Sequence, residues 1–582
     1  MGKYKGLMDV KIFKFLKPYI GWALLSPICM MLEVWVDLMQ PKLMSDIVDK
    51  GVLGKDYDMI LPTGLLMLAL VVLGGIGGVA SAGFASYASK NFGADLKGAA
   101  FRKVMGLSFS QTDKFTTGSL VTRLTNDIST LENIVAMGLR MFVRSPMMLI
   151  GSIVMMLSLN SKFGYVLLCS MPFQIGVVWF MLKKASPLFS VVQKKLDGVN
   201  NVVQENVSGA RMVKAYVRED YEIQRFEKTN EDYTRTNLRV QKIMTILGPV
   251  MSVIMHAAVI AIIYIGGLQV QARNMQVGQV MAAITYTTRV LMSIMMTTMI
   301  FNSITRAKAS ADRVNEILDT KTTIKNGNFK DVTDTTGCVE FKNVSFSYGD
   351  IREAVLKDIS FCVSKGETLA ILGSTGVGKT SLVNLIPRFY DASLGEVLVD
   401  GKNVKDYDLK TLRDKIGYVL QKSELFSGTI KENICWGKKD ATDEEIVKAA
   451  EIAQAAEYIE AYNEKYNTMV GEKGMSLSGG QKQRLSIARA IIGKPEILIF
   501  DDSTSALDLG TEARLQKALK DHLSGTTVII IAQRIVSVKN ADRIVLIENG
   551  EICGIGTHDT LLKENLVYQD IYASQMNKGG EN

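Results

Sequence analysis

Two fold classes follow one another in this chain: an α-helical membrane domain of six helices with long extensions on one side, then an α/β domain with a helical subdomain. Three observations predict this. Apolar residues crowd before about residue 305, and an ordinary charged, mixed sequence follows. Six apolar runs reach the length of about 20 residues that a bilayer-spanning helix needs. Beyond them, the buried-type strands "TLAIL" and "EILIFD" run into a glycine-rich turn and a pair of acids respectively.

The 582 residues exceed what one core supports. A mean hydropathy of +0.15 is greasy for a soluble protein. The net charge of +8 does not indicate nucleic acid, because the basic residues lie between apolar runs, as inside-positive membrane proteins arrange them. The six cysteines (Cys29, Cys169, Cys338, Cys362, Cys435 and Cys553) are scattered without CxxC spacing, so neither a zinc site nor a disulfide framework is indicated. The N-terminus lacks the short apolar core and small-residue cleavage site of a removed signal peptide. The expected organisation is a transmembrane domain over 1–318, a linker over 319–337, a second domain over 338–576 and a tail over 577–582.

The spans are expected near 19–40, 59–88, 137–160, 163–182, 243–270 and 277–304. Lys3, Lys5, Lys11, Lys14 and Lys17 precede the first, which puts the N-terminus in the cytoplasm. An even number of crossings returns the second domain to the same side, so a multi-pass plasma-membrane protein is expected. Residues 89–136 and 183–242 are polar but helix-periodic with few breakers, and read as helices continuing beyond the bilayer. Their turns are expected near "SFSQTDKF" (108–115) and "SGARMVKAYV" (208–217).

Charge inside hydrocarbon is costly and needs partners. Glu33 and Asp37 lie one turn apart in run one, Arg140 and Arg144 repeat that spacing in run three, and His256 and Arg289 occur in runs five and six. Two readings stand: a water-filled cavity whose acids favour cationic cargo, or pairing between acids and arginines. Met292, Met295, Met296 and Met299 likewise suit either an adaptable cargo wall or ordinary packing.

"TLAILGSTGVGKTSLVNLI" (368–386) is a strand, a glycine-rich turn and a helix matching G-x-x-x-x-G-K-[ST]. Backbone amides of Gly373, Ser374, Thr375, Gly376, Val377 and Gly378 would cradle phosphates. Lys379 would reach the β- and γ-phosphates, Thr380 would ligate magnesium, and Ser381 closes the motif. Asp501, at the tip of "EILIFD", presents a carboxylate to the same metal. ATP and Mg2+ are therefore the expected ligands. "LSLSGGQKQRLSIARAI" adds Ser478, Gly479, Gly480 and Gln481 before a helix, a second anion-grasping start. It makes sense if this surface closes on a nucleotide held by another chain.

The phosphate loop combined with LSGGQ resembles the ATP-binding-cassette family, and six runs in front resemble a half-transporter of the bacterial multidrug-exporter type. The resemblance covers essentially the whole chain. It implies that "TGSLVTRLTNDI" and "GARMVKAYVRED" belong to connections touching the cassettes. It also implies that Tyr348 stacks on adenine, that Gln421 senses magnesium, and that "SALD" with Asp508 faces a second cassette. It implies a second half-transporter chain as partner, the lipid bilayer as environment, and a small or amphipathic cargo moved by alternating access.

Two positions depart from the family. Asp502 replaces the usual water-polarising glutamate and falls short by one C–C bond, about 1.5 Å. Gln533 replaces the usual γ-phosphate-contacting histidine; its amide donates but carries no charge. Neither change removes a nucleotide-binding group, so slow hydrolysis with intact binding is expected. Either the chain pairs with an unlike partner that carries the complete site, or it forms a homodimer with two slow sites. Two losses beside an intact signature favour the first. A gated channel on the same fold, or a lipid or peptide exporter, stays open. Six spans exclude a soluble cassette protein, and fusion of both parts in one chain speaks against an importer.

Overall fold

The computed structural model describes residues 10–330, 337–349, 353–503 and 507–576. Lys3 and Lys5, part of the expected linker, the tail, Ser505, Ala506 and the side chain of Met299 lie outside the described residues. The chain divides into two compact units: one comprises the residues up to Met105 together with Gly118–Thr320, the other Gly106–Thr117 and the chain from Lys321 onward.

The first unit is carried by six long helices, each with an apolar window sufficient to cross a membrane. They are α1 (Ile20–Asp46), α2 (Ile60–Met105), α3 (Ile128–Leu159), α4 (Ser161–Ser208), α5 (Glu219–Gln271) and α6 (Val277–Asp319). The polar connections are helical, as their periodicity predicts: α2 runs to Met105, and α4 turns into α5 through the short helix Ala210–Ala215. Leu24, Ile28, Val79, Phe173, Val253 and Tyr264 are all more than half exposed. Such an apolar surface suits hydrocarbon rather than water.

Close packing rather than the hydrophobic effect joins helices in a bilayer. In "GGIGG" of α2, a Cβ on Gly77 would stand 3.1 Å from the Cys29 carbonyl, and one on Gly78 2.6 Å from the Glu33 carboxylate. Small residues there let α1 approach. Polar ties supplement the packing: Tyr286 donates to the Leu38 carbonyl at 2.7 Å, and Ser145 donates to the Ser293 carbonyl at 2.9 Å. Pro27 and Pro41 of α1, Pro146 of α3, Pro172 and Pro187 of α4, and Pro249 of α5 lie inside the helices, where each removes a backbone hydrogen bond.

Four of the polar groups inside the runs, Glu33, Asp37, Arg144 and Arg289, come together. Arg144 binds Glu33 and also Asp37, the latter at 3.3 Å, while Arg289 donates to the Asp37 carbonyl. These contacts match the pairing reading: one arginine bridges both acids and offsets part of the charge that would otherwise favour cations. Arg140 Nε has no hydrogen-bond partner among the described residues.

In the second unit, β1 (Val339–Phe346), β2 (Leu356–Val363), β4 (Leu394–Val399) and β5 (Lys402–Asn403) form an antiparallel sheet in the order β2-β1-β4-β5. A second sheet runs β10-β9-β3-β8-β7-β6. It uses β3 (Thr368–Leu372), β6 (Ile416–Val419), β7 (Ile497–Asp501), β8 (Thr527–Ile531), β9 (Arg543–Glu548) and β10 (Glu551–Gly556). Five of its strands are mutually parallel, and β10 pairs antiparallel at the edge. Every residue of β7 and β8 is buried, which explains their unbroken apolar sequence. The phosphate loop follows β3 and the acids follow β7, with β8 between the two strands. Loops leaving the carboxyl ends of such strands converge in one crevice.

Candidate nucleotide site

The glycines of the phosphate loop answer a backbone demand. Gly376 and Gly378 have φ of +89° and +96°, a left-handed region that a Cβ disfavours. The loop delivers α7 (Lys379–Val383), whose Lys379 is buried to 7% exposure. Its ammonium donates to the Gly373 and Ser374 carbonyls at 2.8 and 2.7 Å, which fold the side chain back over the loop. Burial pulls this ammonium below the ordinary lysine range, opposed by the nearby Asp502 and Asp501 carboxylates.

Thr380 Oγ1 donates to Asp501 Oδ1 at 2.8 Å. Two of the three expected magnesium residues, 121 positions apart in sequence, thus meet across β3, β8 and β7, while the third, Gln421, reaches Asp502 instead. Asp501 is 2% exposed, and burial holds its carboxyl above the usual carboxylate range. An acid at such a depth calls for a cation, and the hydroxyl and carboxylate oxygens are hard donors of the type magnesium takes. The residues present suit Mg2+ and a phosphate chain.

Asp502, Gln421 and Gln533 also converge. Gln533 Nε2 donates to Asp502 Oδ2 at 2.8 Å, and Gln421 Nε2 reaches the same oxygen at 3.4 Å. Asp502 holds φ at +47°, a left-handed conformation uncommon for a residue with a side chain. Its amide donates to the Ile531 carbonyl at 3.1 Å, tying it to the end of β8.

Tyr348 joins the loop through its hydroxyl, 2.8 Å from Ser381 Oγ, and its ring meets Phe346 and Tyr390 edge-on at 4.8 and 5.3 Å. Ser478 caps α8 (Gly479–Ile491) in a reciprocal box: its amide donates to Gln481 Oε1 at 2.8 Å, and Gln481 N to Ser478 Oγ at 3.3 Å. Gly479 and Gly480 form its first turn. Among the described residues, no hydrogen bond joins this group to the phosphate loop. Asp508 caps α9 (Leu509–His522), accepting from Thr511 N at 2.9 Å.

Two features carried no motif. Tyr418 donates to Asn384 Oδ1 at 2.9 Å and reaches Asp501 Oδ2 at 3.5 Å; the only sequence signal was an aromatic three residues before Gln421. The short helix Phe109–Phe115 folds with the second unit. Phe109 lies 4.6 Å from the Phe389 ring, Tyr390 donates to Asp113 Oδ2 at 2.7 Å, and Gln111 donates to the Lys321 carbonyl at 2.5 Å. Phe389 and Tyr390 follow α7 of the phosphate loop, so this helix leans on the nucleotide site's own scaffold.

A membrane bundle fused to a domain with a phosphate loop, a paired acid and an SGGQ-capped helix defines an ATP-driven transporter of the cassette type. Two family models match the chain: the ABC transporter transmembrane region over residues 23–295 and the ABC transporter domain over 356–505. The chain belongs to the ABC transporter family. An uncharacterised ABC transporter ATP-binding protein, YfiB of Bacillus subtilis (strain 168), is 40% identical, the match covering 98% of this chain and 99% of that one. The ATP-dependent lipid A-core flippase of Syntrophus aciditrophicus (strain SB) is 30% identical, covering 98% and 95%. The structure of a bacterial Atm1-family ABC exporter with ATP bound superposes with a TM-score of 0.79 at 23% identity, covering 96% and 99%, which establishes the fold. The chain is a multi-pass membrane protein with that exporter fold.

Proposed function

We propose that this chain is one half of a heterodimeric exporter and that its own nucleotide site binds ATP-Mg but hydrolyses it slowly. The observation that carries the reading is the contact between the two departures from the family. Asp502 Oδ2 accepts from Gln533 at 2.8 Å, so the shortened acid is engaged by a neutral amide. A general base must reach the water it polarises. The Ser478–Gln481 group, standing apart from the chain's own phosphate loop, completes the partner's site, where the usual glutamate and histidine act. Asp508 and the signature then face that partner.

In the cycle, ATP held between two cassettes stabilises a closed state by differential binding. The helical extensions convert closure into rearrangement of the bundle. The slow site retains ATP while the partner's site turns over. The cassettes and the N-terminus are cytoplasmic, following the lysines before the first span. The cargo class is amphipathic or drug-like and is carried outward; the arginine bridging Glu33 and Asp37 and the 30%-identical flippase support an amphiphile over a simple cation.

The test is expression of the chain alone and with candidate partner half-transporters, followed by native mass spectrometry and ATPase measurement. A brisk, stable homodimer overturns the heterodimer. ATP-dependent accumulation of a labelled amphiphile in inverted vesicles separates a transporter from an ATP-gated channel, which shows flux without accumulation.

A further inference from the structure

An apolar cavity of about 280 Å3 lies in the first unit, far in sequence from the nucleotide residues. Phe13 and Leu16 of the short N-terminal helices Val10–Phe13 and Lys14–Tyr19 line it, together with Phe92 of α2, Phe142 of α3 and the later part of α6. Engineered apolar cavities of about 150 Å3 hold benzene, so this one accommodates a longer hydrocarbon segment.

Two polar groups set it apart from a packing fault. Asn315 lines the cavity at 8% exposure, and its Oδ1 has no hydrogen-bond partner among the described residues. A buried acceptor without a donor costs folding free energy unless something supplies one. Lys308 lines the same cavity and forms no ion pair among the described residues. Lys14 and Lys17, both exposed and likewise unpaired among the described residues, alternate with Phe13 and Leu16 on the neighbouring wall.

Order along α6 supplies the occupant. The sixth apolar run ends near Ile304, so the cavity straddles the edge of the hydrocarbon. Ile304, Lys308 and Asn315 follow one another along one face, outward from the membrane. That is the order of an acyl chain, a phosphate and a hydroxylated headgroup. We propose that the cavity binds an anionic, hydroxyl-bearing phospholipid of the adjoining leaflet, of the phosphatidylglycerol class. One acyl chain lies against Phe142 and Ile304, the phosphate meets Lys308, and a head hydroxyl donates to Asn315 Oδ1. The inference rests on the membrane boundary read for α6 and on no feature of the nucleotide site.

The test uses the full-length protein, delipidated in detergent and offered phosphatidylglycerol or phosphatidylcholine with the same photoactivatable acyl chain, followed by peptide mapping. Phosphatidylglycerol is expected to label peptides containing Phe142 and Ile304–Asn315. Lys308→Gln lowers its preference over phosphatidylcholine about fivefold, the worth of one lysine near an anionic head. Asn315→Leu weakens phosphatidylglycerol but not phosphatidic acid, which lacks the head hydroxyl. Gly138→Leu, pushing on the Phe142 ring that a Cβ already meets at 3.2 Å, and Ala311→Leu each fill the space and abolish labelling. Monodisperse elution in detergent and an unchanged thermal unfolding profile of the helical signal report that each variant keeps its membrane bundle folded, and the two fillers act from different helices. Equal labelling by both lipids, labelling indifferent to both fillers, or equal competition by water-soluble glycerol phosphate overturns the proposal. So does labelling that appears only after deletion of residues 2–9, which would make that segment the occupant. Dimer state and ATP turnover enter none of these readouts, so the heterodimer and the lipid site fail independently.

Discussion

Asp502 and Gln533 are two substitutions at one point: the amide of the second donates to the carboxylate of the first at 2.8 Å. Lengthening the acid alone therefore leaves its oxygen engaged. Asp502→Glu is expected to raise hydrolysis anchored on Lys379 only modestly. Asp502→Glu with Gln533→His is expected to raise it about a hundredfold, the scale on which a 1 Å misplacement acts. Single-turnover ATPase, with the site of the proposed partner inactivated, checks this, and additive effects of the two changes would count against their coupling. Arg144→Met removes the cation between Glu33 and Asp37 in the bilayer. Leaving part-buried carboxylates without their cation costs about 1–3 kcal/mol, below the fully buried case, so a lowered unfolding temperature in detergent is expected, with recovery in the triple variant carrying Glu33→Gln and Asp37→Asn.

At the scale of elements, the helix Phe109–Phe115 is held within the second unit by the Phe109 ring against Phe389 and Tyr390 and a few hydrogen bonds. Phe109→Ala is expected to leave ATP binding intact while cargo movement per ATP falls severalfold, read as the ratio of transport to hydrolysis. Unchanged coupling would show that this docking is dispensable. In the central sheet, Arg543 at the head of β9 binds Glu367, which precedes β3. Burial opposes ionisation of Glu367, but hydrogen bonds from Arg543 prevail and hold its carboxyl below the ordinary glutamate range. A depressed acid contributes stability above its unfolded-state pKa, and that contribution is lost as pH falls through the folded value. Arg543→Met is accordingly expected to cost about 1–2 kcal/mol near neutrality, discounted for the half-open arginine. The gap from the parent protein should close on acidification below about pH 4, as thermal unfolding of the two proteins across pH will show.

At the scale of the molecule, the proposed heterodimer rests on the family departures, the signature capped on α8 and the exposed Asp508. Co-expression with the right partner is expected to give a complex in which one ATP turns over and the other persists through several cycles, measurable as nucleotide retained after a chase. The fold class was legible because hydropathy writes six spans directly into sequence and because strand, glycine turn and helix leave a local pattern. The phosphate loop was legible for the same reason: Gly376, Gly378 and Lys379 lie within four positions. Tyr418 was not, since one aromatic in a strand carries no spacing, and its role depends on β6 lying beside β7. The attachment of Phe109–Phe115 to the second unit was hidden likewise, because its partners Phe389 and Tyr390 lie some 280 residues on.

The sequence by itself determined the order of the two domains, the number of apolar helices, the nucleotide-binding loop and the two departures at Asp502 and Gln533. Each is written in contiguous residues or in a period of the chain. Only the tertiary structure decided that Arg144 bridges Glu33 and Asp37, that Thr380 meets Asp501, and that Gln533 engages Asp502. Those are contacts between side chains far apart in sequence, brought to hydrogen-bond distance by strand order and helix packing, and no local pattern encodes them.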